Sequence, residues 1–417
     1  MMTRKLPIIA VATAPGKAGV GVIRISGQQL LPMAEALFHK ALAPRQANLL
    51  TLRDARGESI DQLIAIYFAA PASFTGEDVL ELQCHGGPQL LELVMKRCLE
   101  LGKDQDLVIA EPGEFSLRAY LNNKIDLAQA EAIADLIDAQ SEAAVRGAAR
   151  SLQGAFSNDI NSLIEEITQL RILVESTLDF PEEEIEFLEN AQARERLSTV
   201  MKKLHSLREG AKQGKILRDG IQLVLAGAPN VGKSSLLNRL AGEEVAIVTP
   251  IAGTTRDRIK ESITISGVPM HIIDTAGLRE TSDLVEAKGI ERSWDAIRTA
   301  DLVIFLQDPS AKETVEGAEA LELKTQVLKA LPPKCPVLEV GNKSDLLDKL
   351  SAKHGESSSL LISAKTGEGI EDLKQRILES VGWGGTQEGA IVARRRHLDC
   401  LDRAATHLDK SQQFAAD

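Results

Sequence analysis

The sequence predicts a multidomain α/β protein. It has an N-terminal α+β domain, a helical domain and an α/β domain built on a parallel sheet. Three observations lead there. At 417 residues the chain is too long for one core. Short β-type runs occupy both ends of the first 381 residues and vanish between about Leu127 and Ile221. After Ile221 apolar strands and helical patterns alternate, the signature of a parallel sheet covered by helices.

The first stretch, residues 1 to 122, carries the runs Ile8 to Ala12, Gly19 to Ile25, Leu63 to Phe68 and Val79 to Leu82, with an amphipathic segment over Leu90 to Leu101. Arg4 and Lys5 precede an apolar stretch, but Pro7 interrupts it. Two strands around a Gly-rich turn suit it better than a leader peptide. In residues 123 to 217, Ala130, Ile133, Ala134 and Ile137 recur at helical spacing, as do Leu163, Ile167, Leu170 and Val174. The acidic run Glu182 to Glu186 follows Pro181 and suits a helix N-terminus. Residues 218 to 382 form the nucleotide domain, with strands at Ile221 to Ala226, His271 to Ile273, Leu302 to Leu306, Pro336 to Val340 and Leu360 to Ile362. Gly382 to Gly389 reads as a linker, and residues 384 to 417 return to helix, which the family resemblance given below implies is an incomplete C-terminal part of the helical domain.

Composition narrows the function classes. Hydrophobic residues make up 44%, charged residues 26% and aromatics 3%, so the core is aliphatic. A net charge of -12 does not attract nucleic acid, so RNA would need a local basic patch or a basic partner. Lys202, Lys203, Arg208, Lys212 and Lys215 form one basic stretch, equally explained as a solvated helix face. Cys84, Cys98, Cys335 and Cys400 lack metal or redox spacing and read as buried thiols of a reduced, cytoplasmic protein. No run is apolar and long enough to span a membrane.

Gly227-Ala-Pro-Asn-Val-Gly232-Lys233-Ser234 follows a strand and opens a helix, the context a phosphate-binding loop requires. Backbone N–H groups and the helix N-terminus face the phosphates, Lys233 supplies a cation, and the Ser234 hydroxyl ligates Mg2+. Asp274-Thr275-Ala276-Gly277 follows the next strand. Asp274 suits Mg2+ and the Gly277 N–H suits the third phosphate. Between them lies Gly253-Thr254-Thr255-Arg256-Asp257, where a threonine hydroxyl can complete the metal shell. Asn342-Lys343-Ser344-Asp345 selects guanine, because one carboxylate accepts from the adjacent ring N–H and amine that adenine lacks. Ser363-Ala364-Lys365 backs the base. Leu278 stands where Ras-like enzymes orient water with glutamine. A nearby carboxylate, Glu280, Asp283 or Glu286, can act through water instead, while neither Arg256 nor Arg279 is assignable as an arginine finger.

Further motifs run through the chain: Ala14 to Gly27, Ser73 to Leu82, His85 to Pro88, Glu111 to Phe115, Asn123 to Glu131, Leu178 to Pro181 and Arg394 to His397. On these the sequence resembles the bacterial MnmE (TrmE) family of tRNA modification GTPases over essentially its full length. The resemblance implies a potassium-dependent GTPase, its phosphate-loop domain of Ras-like type inserted into the helical domain. It would act as a homodimer with an MnmG-type flavoprotein, in a heterotetramer, on the wobble uridine of tRNA. A tetrahydrofolate, 5-formyl or methylene, would supply one carbon. It implies folate contacts at Arg24, Glu81 and Lys124. It implies K+ ligation by Asn230, Thr249, Ile251 and Thr254, Mg2+ at Thr255 beside Ser234, and catalysis by Glu286 with Lys233.

The nucleotide set then comprises Asn230, Val231, Gly232, Lys233, Ser234 and Ser235; Thr249, Pro250, Ile251, Ala252, Gly253, Thr254 and Thr255; Asp274, Thr275, Ala276 and Gly277; and Asn342, Lys343, Asp345, Ser363, Ala364 and Lys365. The family pattern ends in Cys-x-Gly-Lys, whereas Cys400 precedes Leu401-Asp402-Arg403 and is not that cysteine. GTP binding is expected to survive this departure, and tRNA modification is expected to depend on it. A ribosome-assembly GTPase and a GTP-switched, non-catalytic dimeric scaffold are the alternative readings.

Overall fold

The computed structural model describes residues 6–179, 192–243, 261–274, 293–309, 315–346, 360–385 and 391–416. The chain divides into two compact units, Met1–Glu131 and Ala132–Asp417.

The first unit is built on a six-stranded sheet. Its strands are β1 (Ile8–Val11), β2 (Ala18–Gly27), β3 (Asn48–Arg53), β4 (Ser59–Phe68), β5 (Asp78–Gly86) and β6 (Val108–Ile109), in the order β3-β4-β5-β2-β1-β6. All pairs are antiparallel except β1 with β6. Alternation sets the faces. Ile23, Ile25, Leu80 and Leu82 are fully buried and share a core with Met33 and Leu37 of α1 (Leu31–Phe38) and Leu91, Val94 and Cys98 of α2 (Pro88–Leu101). Arg24 and Glu81, opposite each other in the β2–β5 register, occupy the alternate positions.

Three of the sequence motifs meet in a partly buried ion network. Arg118, on α3 (Glu114–Leu121), donates to Glu77 at 3.0 Å, to Glu114 at 2.8 Å and to the Leu6 carbonyl at 2.8 Å. Glu77 in turn accepts from the Ser26 hydroxyl at 2.8 Å, and Ser26 pairs with Thr75 at 2.7 Å. Ser26 and Thr75 are fully buried. The Ser73 to Leu82 and Glu111 to Phe115 motifs thus lock α3 to the sheet.

Helices follow: α4 (Leu127–Ile137), α5 (Glu142–Leu152), α6 (Ala155–Asp179) and α7 (Ala193–Asp219). Asp126 and Gln129 exchange hydrogen bonds at the start of α4, and the Ser141 hydroxyl caps α5 by accepting from Ala144 N–H. The C-terminal helix, labelled α11 below, spans Arg395–Ala416, in line with the expected return to helix. Just before it, Ile391 crosses α7 so closely that a Cβ on Gly214 would lie 1.8 Å from the Ile391 carbonyl oxygen. The described part of the expected linker is docked rather than free. Trp383 is buried in the core of the second sheet, and the Gln213 amide donates to Gly382 O at 2.8 Å and accepts from Gly384 N at 3.1 Å. A run rich in glycine concealed one large apolar side chain, and burying its area outweighs the freedom of the neighbouring glycines.

The second sheet has the order β12-β11-β10-β7-β9-β8, from β7 (Ile221–Gly227), β8 (Glu261–Ile265), β9 (Val268–Asp274), β10 (Leu302–Gln307), β11 (Val337–Gly341) and β12 (Leu360–Leu361). It is parallel except at β8, an antiparallel edge hairpin with β9 that corrects the wholly parallel expectation. The tight Ser266-Gly267 connection, both residues at positive φ, explains it. Central strands are apolar on both faces, as a doubly covered sheet requires; Val303, Ile304, Phe305 and Leu306 are all at most 1% exposed. The helices α8 (Lys233–Glu243), α9 (Val315–Ala330) and α10 (Ile370–Ser380) alternate with these strands.

Truncating Arg118 to alanine strands two partly buried carboxylates. Urea unfolding should lose about 3–5 kcal/mol, the usual cost of breaking a buried ion pair. A loss below about 1 kcal/mol would show the network to be solvated in effect.

Candidate functional site

Strand register places the sequence motifs on one edge of the second sheet. Leu225 pairs with Asp274, Leu306 with Gly227 and Gln307 with Gly341. The C-terminal ends of β9, β7, β10 and β11 therefore align, where ligands bind in open α/β sheets. The loop after β7 turns into α8 through Asn230 at φ 61° and Gly232 at φ 97°. A Cβ at Gly232 would meet the Asn342 amide nitrogen at 2.3 Å, so only glycine fits there.

Asn342 joins the loops. It is 3% exposed; its amide donates to Val231 O at 2.8 Å, and its oxygen accepts from Ala364 N at 3.0 Å. One side chain thus fastens the phosphate loop to the loop that backs the base. Ser363 donates from its hydroxyl to Asp345 at 2.7 Å, orienting an exposed carboxylate, and Ser344 N donates to Ile362 O at 3.0 Å. Lys233 is half-buried, and its ammonium donates to the carbonyls of Gly227 and Ala228 at 2.9 and 3.0 Å. Ser234 and Ser235 are exposed on the first turn of α8. Asp274 closes β9.

Thr249, Pro250, Ile251, Ala252, Gly253, Thr254, Thr255, Thr275, Ala276, Gly277, Leu278 and Glu286 lie outside the described residues, as do Glu280, Asp283 and the acidic run Glu182 to Glu186.

Two residues that the motif reading passed over also hold the site. Arg239 on α8 donates to Ala364 O at 3.3 Å and Lys365 O at 2.6 Å, clipping the base-side loop to the helix that follows the phosphate loop. Asp308, just past β10, accepts from Lys343 Nζ at 2.8 Å. Neither falls in a motif, and no local spacing marks it.

In the first unit the three expected folate residues are only partly brought together. Arg24 donates to Glu81 at 2.8 Å, and Gln83 donates to the other Glu81 oxygen at 3.0 Å. Burial raises the Glu81 pKa, but the hydrogen bonds from Gln83 and Arg24 and the guanidinium charge outweigh it, leaving the carboxyl below its ordinary value. Its stabilising effect is therefore complete above the ordinary glutamate range and fades as pH falls through the lower folded value. Lys124 engages the Pro71 carbonyl at 3.0 Å instead. An open cleft of about 960 Å³ lies elsewhere, between Thr13 to Gly16 and the α2 face bearing Leu91 and Met95.

The basic stretch on α7 is largely neutralised. Lys203 pairs with Glu166, Arg208 with Asp402, Lys212 with Glu209 and Lys215 with Asp219. Burial pushes the Cys84 and Cys98 thiols up to about 12, keeping them protonated. Cys335 is only partly buried and Cys400 is exposed, which corrects the uniform buried reading. Among the described residues no His, Cys, Asp and Glu cluster suits a metal, and no helix is long and apolar enough to cross a membrane.

Replacing Asn342 with alanine leaves a buried carbonyl and a buried N–H unpaired. We expect a stability loss of about 2–4 kcal/mol in urea titration and a GTP affinity at least roughly tenfold weaker, from about 1–3 kcal/mol per unsatisfied group. Unchanged affinity would mean that the two loops hold their places without the bridge.

Known proteins match the chain along its length. Residues 7–124 match the family described as GTP-binding protein TrmE N-terminus, and residues 127–417 match the MnmE helical domain. The chain is 78% identical over 418 aligned residues to the tRNA modification GTPase MnmE of Polynucleobacter asymbioticus, covering 100% of this chain and 90% of that one. It is 54% identical to the protein of that name from Bordetella parapertussis, covering 99% and 90%. A solved structure of Aquifex aeolicus Era bound to GDP and aluminium fluoride is 30% identical over 38% of this chain and 56% of that one, with a TM-score of 0.30. The sequence matches, spanning both units, show that the chain belongs to the MnmE (TrmE) family of tRNA modification GTPases.

Proposed function

We propose that the chain is a potassium-dependent GTPase that modifies the wobble uridine of tRNA as a homodimer with an MnmG-type flavoprotein, using a one-carbon unit from 5-formyl- or methylene-tetrahydrofolate. The observation that carries the nucleotide half is the convergence of Gly227 to Ser234, Asn342 to Asp345 and Ser363 to Lys365 on one sheet edge, tied by Asn342. Family membership at 78% identity supports the tRNA half. In this reading residues 1 to 122 are the folate-binding and dimerisation domain, residues 218 to 382 the GTPase domain, and residues 123 to 217 with 384 to 417 the helical domain, in a cytoplasmic protein.

The residues act as follows. Asp345 accepts from the two guanine donors, and its second duty, bonding Ser363, fixes its plane. Backbone N–H groups of residues 230 to 235 hold the phosphates, and Lys233 exchanges its carbonyl partners for phosphate oxygens. Ser234, Thr255 and Asp274 would hold Mg2+, and Asn230, Thr249, Ile251 and Thr254 would hold K+. When bound, the two cations would supply fixed positive charge where the transition state gains negative charge. Glu286 orients water indirectly, a role that Leu278 cannot fill. Arg24, Glu81 and Lys124 contact the folate, the first two as a preformed ion pair.

GTP turnover should be at least about tenfold faster in potassium than in sodium, since the cation replaces an arginine finger. Glu286→Ala should keep GTP binding and slow turnover by about a hundredfold, a typical general-base contribution. Equal rates in both salts would remove the potassium site, and normal turnover in the variant would move the water-orienting role to Glu280 or Asp283.

Expression of the chain carrying a grafted Cys-x-Gly-Lys tail, in cells lacking the family enzyme, should restore modified wobble uridine, read by mass spectrometry of digested tRNA. Unmodified uridine beside normal GTP turnover would overturn the tRNA half alone and favour a switched scaffold.

A further inference from the structure

β10 lies between β7, which delivers the phosphate loop, and β11, which delivers the guanine-selecting motif. Its C-terminal end thus emerges between the two nucleotide loops, at Asp308. The backbone there is closely fitted. Asn342 N donates to Gln307 O at 2.9 Å, and a Cβ on Gly341 would meet Pro309 Cγ at 2.9 Å and Leu361 at 2.7 Å. The Asp308 side chain is 16% exposed, and its carboxylate accepts from Lys343 Nζ at 2.8 Å.

Lys343 has reason to be held. It sits between Asn342 and Asp345, and its φ is 69°, a left-handed conformation that a residue with a Cβ adopts only under constraint. A lysine has four flexible side-chain bonds and an ammonium that water solvates well. Left to itself, it would sample solvent and would have to be ordered each time a base arrives. An ion pair made in advance removes that cost from binding.

We infer that Asp308 is a positioning residue for guanine recognition, fixing the Lys343 side chain beside the base before nucleotide binds. The inference rests on the GTP reading of this site. Asp308 touches neither the phosphates nor the reacting water in this account. Its loss therefore falls on affinity rather than on the chemical step.

The test uses the whole chain. GTP binding by the parent protein is measured first; if it fails, the nucleotide reading fails and Asp308 is not at issue. With binding established, Asp308→Ala should weaken GTP and GDP by the same factor, roughly five- to tenfold, the scale of one partly buried charge-assisted hydrogen bond. KM should rise with it while kcat changes less than about twofold. Asp308→Glu should recover part of the affinity. In the Lys343→Ala background, Asp308→Ala should have almost no further effect, since the lysine it holds is gone. A purely structural role predicts the opposite: a lower melting temperature and the same loss of affinity with or without Lys343. That additive result, or unchanged affinity in Asp308→Ala, would overturn the inference.

Discussion

The nucleotide edge depends on the buried amide of Asn342. Three loops from distant parts of the chain have no covalent reason to stay together. An amide solves this because it carries a donor and an acceptor on one planar group. The donor is spent on Val231 O and the acceptor on Ala364 N–H, both removed from water. A carboxylate could not donate and an ammonium could not accept, so neither could replace it. The same contact dictates Gly232, whose missing Cβ is the space the amide nitrogen occupies.

Around this bridge the site is held by charged groups that spend themselves on protein rather than solvent. Arg239 spans two successive carbonyls, which a forked guanidinium does better than a lysine. The helical elements follow a similar rule at the other end of the sheet. Asp135 on α4 accepts from Arg218 Nε at 2.7 Å and from Arg394 at 3.4 Å, and Arg218 lies just before β7 begins. The sheet's central strand is thus gripped at its root by an ion triplet and at its tip by the Asn342 bridge.

Legibility in the sequence tracked how local the physics was. The phosphate loop and the Asn342 to Asp345 and Ser363 to Lys365 segments were readable because each is contiguous and needs a fixed residue order. The central strands were readable because a doubly covered strand is apolar throughout. The edge hairpin of β8 was not, since Glu261-Ser-Ile-Thr-Ile265 alternates over only four residues before a two-residue turn. Trp383 was masked by its glycine neighbours. Arg239 and Asp308 were invisible because their partners lie 125 and 126 residues away in one case and 35 in the other, and no spacing rule reaches across such gaps.

The charge balance shows why a basic stretch on its own is weak evidence for an RNA surface. Lys202 to Lys215 looks like the best basic patch of an acidic chain. Yet Lys203 and Arg208 reach across to α6 and α11, and Lys212 and Lys215 are paired within α7. Phosphate affinity comes from releasing counterions, and a cation already neutralised by a protein carboxylate has fewer to release. To serve RNA, Lys203 and Arg208 would first have to give up their partners, with α7 losing contacts that pack it against α6 and α11. The ion pairs thus favour α7 as a packing element. The ion pairs therefore point the search for tRNA phosphate contacts toward cations elsewhere on the chain or on a basic partner, in keeping with the net charge of -12.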